Sequence, residues 1–170
     1  MRLKDNINIS DGIVKWIPYS NEEKICERFS LDEWHMAVHD INSDKEWEDF
    51  LKDSSIVKCY ILKLCSNDNS IAFLYIMQEN LAGTVFSVHG GGWENPLMYC
   101  RGYILLLEHL LNLGLKVRTY CQISNATAIR LDRAIGFVPY LYSDNEVFMW
   151  INNKRLKSSK IYKRFYKNKL

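Results

Sequence analysis

The stretch from Thr84 to Phe137 sets the limits on what this chain can fold into. It opens with a strand pattern, Thr84-Val85-Phe86-Ser87-Val88-His89, followed by the glycine run Gly90-Gly91-Gly92-Trp93-Glu94. A long helical pattern then runs from Asn95 to Leu113, and its middle, Tyr103-Ile104-Leu105-Leu106-Leu107, is apolar nearly all round. Such a helix is buried on more than one side, as when it lies across a sheet. Next, Val117, Thr119, Cys121 and Ile123 alternate with Lys116, Arg118, Tyr120 and Gln122, which is the period of a half-buried strand. A short helix closes the stretch, opened by Ser124-Asn125 and stopped by Gly136-Phe137. Strand, crossover helix and strand predict a parallel pair with a right-handed connection.

Local punctuation supports each boundary. Asn95 can cap the long helix, Pro96 suits its first position because the missing amide has no partner there, and Gly114 ends it. Upstream, Ile13–Ile17 predicts a strand that Pro18 stops. Ser20/Glu23, Ser30/Glu33 and Ser43/Glu46 are capping boxes, which place three short helices within residues 21–53. Residues 56–64, 71–77 and 84–89 predict an antiparallel meander. Val138–Tyr142 and Val147–Ile151 flank a polar turn as a hairpin, and Ile161, Tyr162, Phe165 and Tyr166 suggest a short helix in the tail.

The order helix–helix, antiparallel meander, long helix, strand, short helix, hairpin resembles the GNAT superfamily of N-acetyltransferases, as a divergent member. The sharpest match is Asn125-Ala126-Thr127-Ala128-Ile129-Arg130-Leu131-Asp132-Arg133-Ala134-Ile135-Gly136-Phe137. It is similar to the family's Asn-x-x-Ala-x-x-x-Tyr-x-x-x-Gly-Phe segment. The resemblance implies an α/β (α+β) fold, with a mixed, mostly antiparallel sheet of six to seven strands and helices on both faces. It also implies acetyl-coenzyme A as co-substrate and an amine acceptor attacking the thioester directly.

Asn125, Ala128 and Asp132 share one helix face by their i, i+3, i+7 spacing. The family turns that face toward the coenzyme, where Asn bonds amides of the pantetheine arm and Ala leaves room for it. Asn125 also suits a simple helix cap, and one residue can do both. The family's Gln/Arg-x-x-Gly-x-Gly/Ala loop has its nearest counterpart in Arg101-Gly102-Tyr103, with Ile104 and Leu106 replacing the later glycines. Either the helix starts at Pro96 and contains Arg101, or it starts near Arg101 and restores an anion site there. Gly90-Gly91-Gly92 is a further candidate nest for an anion.

For the chemistry, His89 is the first candidate base and Glu94 the second. Backbone amides near Val88-His89 are candidates to polarise the thioester carbonyl. The family often has tyrosine where Asp132 stands, to protonate the departing thiolate. With an unperturbed pKa of about 3.9 an aspartate is ionised at neutral pH, so either the thiolate leaves unaided or another residue donates, with Tyr99, Tyr103 and Tyr140 the candidates. Val88, His89, Arg101, Gly102, Tyr103, Asn125 and Ala128 are thus the expected coenzyme contacts, with His89, Glu94 and Tyr103 expected at the chemistry.

Composition narrows the rest. The 170 residues suit one domain, expected over 1–153, with 154–170 as a basic tail carrying eight Lys/Arg and no acid. The net charge of +2 therefore leaves −6 on the body, which argues against a broad nucleic-acid surface there. A solvated terminus is the expectation for the tail; its tyrosines and Phe165 also fit a nucleic-acid contact. Five scattered cysteines without a C-x-x-C pair point to reduced thiols and the cytoplasm, and no apolar run reaches the length of a membrane span. His35 and His39 have metal-ligand spacing but no third ligand, so no metal is expected. His89-Gly90-Gly91-Gly92 resembles an esterase oxyanion loop, but no Gly-x-Ser-x-Gly accompanies it. Peptide, polyamine, antibiotic and sugar amines all stay open as acceptors.

Overall fold

The computed structural model describes residues 9–18, 45, 49, 59–67, 69–91 and 95–166. The three helices expected within 21–53, with His35 and His39, lie outside the described residues apart from Lys45 and Asp49, which are helical. The expected strand 56–64 begins, among described residues, at Cys59.

Eight strands form one sheet: β1 (Ile9–Ser10), β2 (Lys15–Pro18), β3 (Cys59–Ser66), β4 (Asn69–Gln78), β5 (Val85–Gly91), β6 (Lys116–Gln122), β7 (Val138–Tyr142) and β8 (Glu146–Ile151). Their order across the sheet is β1-β2-β3-β4-β5-β6-β8-β7. Every neighbouring pair is antiparallel except β5 and β6, which are parallel. The strand beyond the expected six to seven is β1, a two-residue pairing of Ile9–Ser10 with Lys15–Trp16 that is too short to show a period in sequence.

Helix α1 (Pro96–Asn112) makes the crossover between the parallel strands. Asn95 caps it by accepting from the Met98 amide at 3.1 Å, and Gly114 leaves it at φ +78°. Its buried residues include Tyr103 to Leu107 without a break, which join Val88 and Phe86 of β5 and Val117 and Cys121 of β6 in one core. Helix α2 (Ala126–Ile135) is capped by Asn125, which accepts from the Ala128 amide at 3.0 Å. Gly136 closes it at φ +117°, where a Cβ would also stand 2.8 Å from the Arg155 carbonyl. Both the αL geometry and the close approach require glycine there.

The C-terminal segment departs from the expectation of a solvated terminus. It forms α3 (Asn153–Ser158) and α4 (Lys160–Tyr166), and Leu156, Tyr162 and Tyr166 are buried in the core. The Tyr162 hydroxyl donates to Glu108 at 2.6 Å and the Tyr166 hydroxyl to Asp11 at 2.8 Å. The cations face outward between these anchors, so the basic composition describes one helix face rather than the whole segment. No described helix is long and apolar enough to cross a membrane.

Candidate functional site: a split in the sheet

β5 and β6 pair only through Val85↔Lys116, Phe86↔Val117 and Ser87↔Arg118. Yet β5 runs on to Gly91 and β6 to Gln122, so the two strands part beyond that point. The β5 carbonyls that look into the gap are met by side chains. Val88 accepts from the Thr119 hydroxyl at 3.0 Å, and Gly90 accepts from the Tyr99 hydroxyl at 3.3 Å. A strand residue presents its N–H and C=O on the same edge, so the Val88 and Gly90 amides lie on this edge as well. Gly90 is also fixed by packing, because a Cβ there would meet the Phe73 carbonyl of β4 at 2.4 Å.

One side of the split is walled by α1 and α2. Ala128 packs half-buried on the core, beside the cap made by Asn125. Asp132, a turn and more further on, is 6% exposed, and its Oδ2 accepts from the Cys121 thiol at 3.2 Å. Burial pushes its pKa up to about 7, against the lowering effect of the Cys121 hydrogen bond. At neutral pH a large share of this carboxyl therefore carries its proton. That corrects the expectation of an ionised aspartate, which took the solution value and could not include the burial. Burial, and then the charge of Asp132, push Tyr99, Tyr103 and Cys121 upward too, so all three keep their protons. The Tyr103 ring stacks on Tyr99 at 5.8 Å and on Phe137 at 6.3 Å, and its hydroxyl bonds Thr119.

The opposite side belongs to His89. Alternation along β5 puts Val88 in the α1 core and His89 on the other face. Its ring, 4% exposed, stacks on Tyr75 of β4 at 5.0 Å and meets the edge of Tyr120 of β6 at 4.1 Å. His89 therefore bridges the parting strands on one face, while Asp132 lies behind the other.

Other expected contacts are placed elsewhere. The helix starts at Pro96, so Arg101 and Gly102 sit in its second turn, past the free amides. Arg101 Nε donates to Asp11 Oδ2 at 2.6 Å, and the guanidinium lies 5.6 Å from the Tyr166 ring and 5.8 Å from that of Phe165. Burial raises the Asp11 pKa, but bonds from the Val14 amide, Tyr166, the Ile13 amide and Arg101 outweigh it and leave the carboxyl below its ordinary value. The Gly102 carbonyl accepts from the Trp16 indole at 2.7 Å, and a Cβ on Gly102 would stand 2.5 Å from Leu64. These two residues build the core in place of the expected anion site. Tyr140 is on the edge strand β7, 45% exposed, with Phe148 and Arg118 as its neighbours. Glu94, Gly92 and Trp93 lie outside the described residues.

Sequence reasoning did not bring out the Thr119 and Cys121 contacts at the split or the upward shift of the Asp132 pKa. The inward alternation of Val117, Thr119 and Cys121 was the available signal for the first two. Among the described residues, no three potential ligands converge on a metal site.

No family model and no curated protein matches the sequence. Solved structures do match in shape. A GCN5-related N-acetyltransferase from Brucella melitensis is 11% identical with a TM-score of 0.72, over 94% of this chain and 84% of that one. The chain has the GNAT fold. A GNAT-family acetyltransferase from Bacillus anthracis is 11% identical with a TM-score of 0.68, over 86% and 99% of the two chains. The Salmonella typhimurium acetyltransferase that modifies the N-terminal serine of ribosomal protein L7/L12 gives 11%, 0.66, 85% and 96%. The GNAT fold is thus shared along almost the whole chain while nearly all side chains differ.

Proposed function

We propose that this GNAT-fold protein is an acetyl-coenzyme A-dependent N-acyltransferase that moves an acetyl group onto a primary amine by direct attack. The split between β5 and β6 is the observation that carries this reading. It leaves strand edges beyond the last β5–β6 pair, where an extended, amide-bearing arm can add as a strand would by displacing the Thr119 and Tyr99 hydroxyls from the Val88 and Gly90 carbonyls. The Asn125–Ala128–Asp132 face of α2 borders it, and the resemblance assigns that face to the coenzyme.

The two faces of the split divide the proton transfers. The amine nitrogen attacks the thioester carbon, a C–N bond forms and the C–S bond breaks. His89 takes the amine proton on its face. Asp132, protonated near neutrality, gives a proton to the departing sulfur on the other. One β5 edge amide, of Val88 or Gly90, donates to the carbonyl oxygen as negative charge develops on it. Tyr99 and Tyr103 shape the wall and hold their protons too firmly to be the first donors. The thiols of Cys100 and Cys121 suit a reducing compartment such as the cytoplasm.

Calorimetric titration with acetyl-coenzyme A tests the reading first: binding is expected, and silence at millimolar ligand would remove it. Turnover on a panel of primary amines then separates an enzyme from a coenzyme-binding module. The second reading is favoured by Arg101 and Gly102, which serve the core where related sequences hold an anion loop. Coenzyme binding without turnover on any amine would select it.

A further inference from the structure

Five rings cross the sheet on the His89 face. Tyr75 and His89 are a directly opposed β4–β5 pair, and Tyr120 and Phe148 are a directly opposed β6–β8 pair. The His89–Tyr120 contact joins the two pairs across the split at 4.1 Å. Tyr120 lies 5.5 Å from Phe148, and Phe148 lies 6.5 Å from Tyr140 on the edge strand. The row is buried at the His89 end and opens outward: Tyr120 and Phe148 are half-buried and Tyr140 is exposed.

Charge is arranged around the open end. Glu146 lies two residues before Phe148, so it shares its face, opposite Gln122 of β6. After burial, the carboxylates of Glu146 and then Glu79 act on the Tyr120 hydroxyl, holding it above its ordinary pKa. One cation already uses the row: the Arg118 guanidinium lies 5.5 Å over Tyr140, tied to Glu79 at 3.4 Å. Arg118, Tyr140 and Trp150 also line an adjoining groove of about 470 Å³ with Leu111 and Leu115. Its size is that of a small-molecule site.

We propose that Tyr120, Phe148 and Tyr140, with Glu146 beside them, form the acceptor's subsite and take a cationic amine carrying an apolar body. Ring faces attract an ammonium group, and a flanking carboxylate adds to that attraction. The apolar body has the Leu111–Leu115–Trp150 groove to enter, and His89 stands at the buried end of the row where an amine would lose its proton. The word acceptor rests on the acyltransferase reading; the cation site itself does not.

The probe is benzyltrimethylammonium, which has no N–H to acetylate. It is titrated into the full chain by calorimetry, with phenylacetate as the anionic control and acetyl-coenzyme A in a separate titration. The expected result is saturable binding of the ammonium, at least tenfold tighter than phenylacetate. Tyr120→Leu is expected to weaken it about five- to tenfold, in keeping with a desolvated cation–π contact. Tyr140→Ser, at an exposed position, should weaken it about threefold, and Tyr120→Phe should retain it. Equal affinity for the two probes, or an unchanged ammonium affinity in both Tyr120→Leu and Tyr140→Ser, would overturn the proposal. If Tyr120→Leu does not fold, Tyr140→Ser alone decides. Ammonium binding without acetyl-coenzyme A binding keeps the cation site and removes the acyltransferase reading. The reverse pattern removes the site and keeps the reading.

Discussion

The second turn of α1 and the inner face of α2 carry the two stretches that most resemble a coenzyme-binding family, and they do opposite things. Arg101 and Gly102 are spent inside the fold: one on Asp11 and Tyr166, the other on Leu64 and Trp16. On α2, Asn125 caps the helix, Ala128 packs half-buried on the core, and the Asp132 carboxyl is buried against Cys121 of β6, one of the two strands that part. Similar letters therefore give no guide to role until partners are known. A residue whose groups are all met within the core is architecture. A buried titratable group beside a gap in backbone pairing is a candidate for chemistry.

Asp132→Asn gives the largest effect that would separate the two regions. The native carboxyl keeps its proton up to about pH 7, whereas an unfolded aspartate loses it near 4. Between those values the native state binds more protons than the unfolded state, so stability falls as pH rises through the window. At about 1.4 kcal/mol per unit, the wild type should lose up to roughly 4 kcal/mol between pH 4 and pH 8. Asp132→Asn should remove that slope and be the more stable protein at pH 8 in urea denaturation. An unchanged slope would place the carboxyl in contact with water.

Arg101→Met comes next. It leaves the Asp11 side chain, 2% exposed, without its guanidinium, at an expected cost of about 3 kcal/mol in urea denaturation. Affinity for acetyl-coenzyme A should stay within twofold. A tenfold loss of coenzyme affinity at unchanged stability would return Arg101 to the anion site that the sequence suggested.

Asp132→Asn should also lower kcat about 100-fold, in the ordinary range for a lost general acid. The KM for acetyl-coenzyme A should hardly move. Wild-type kcat should decline as pH rises through about 7, the limb on which Asp132 loses its proton, and the variant should lack that limb.

Gly102→Ala is the smallest. The new methyl presses on buried Leu64, costing about 1–3 kcal/mol, against roughly 1 kcal/mol returned by better helix propensity. A net loss of about 1 kcal/mol with unchanged coenzyme binding is expected in thermal unfolding.

What could be read in advance follows from how far each cause reaches along the chain. The strands, the crossover helix and the caps at Asn95 and Asn125 are local, set by alternation and by side chains three residues away. The parallel β5–β6 pair followed from their order. The fate of Arg101 depends on Asp11, 90 positions away, and on Tyr166 in a segment whose composition reads as a solvated tail. The protonation of Asp132 depends on burial, which its place on a helix face suggests but does not measure. The split was not legible, because nothing in Val88–Gly91 or Thr119–Gln122 announces where pairing stops.

The central claim is that the split is where the coenzyme arm lies. Amide chemical shifts of the labelled protein, followed while acetyl-coenzyme A is added, test it most directly. The account predicts the largest changes at Val88 to Gly91, Thr119 to Gln122 and Asn125 to Ala128, with little change at Arg101 and Gly102. Changes centred on the start of α1 and its second turn, with Val88–Gly91 and Thr119–Gln122 silent, would contradict it.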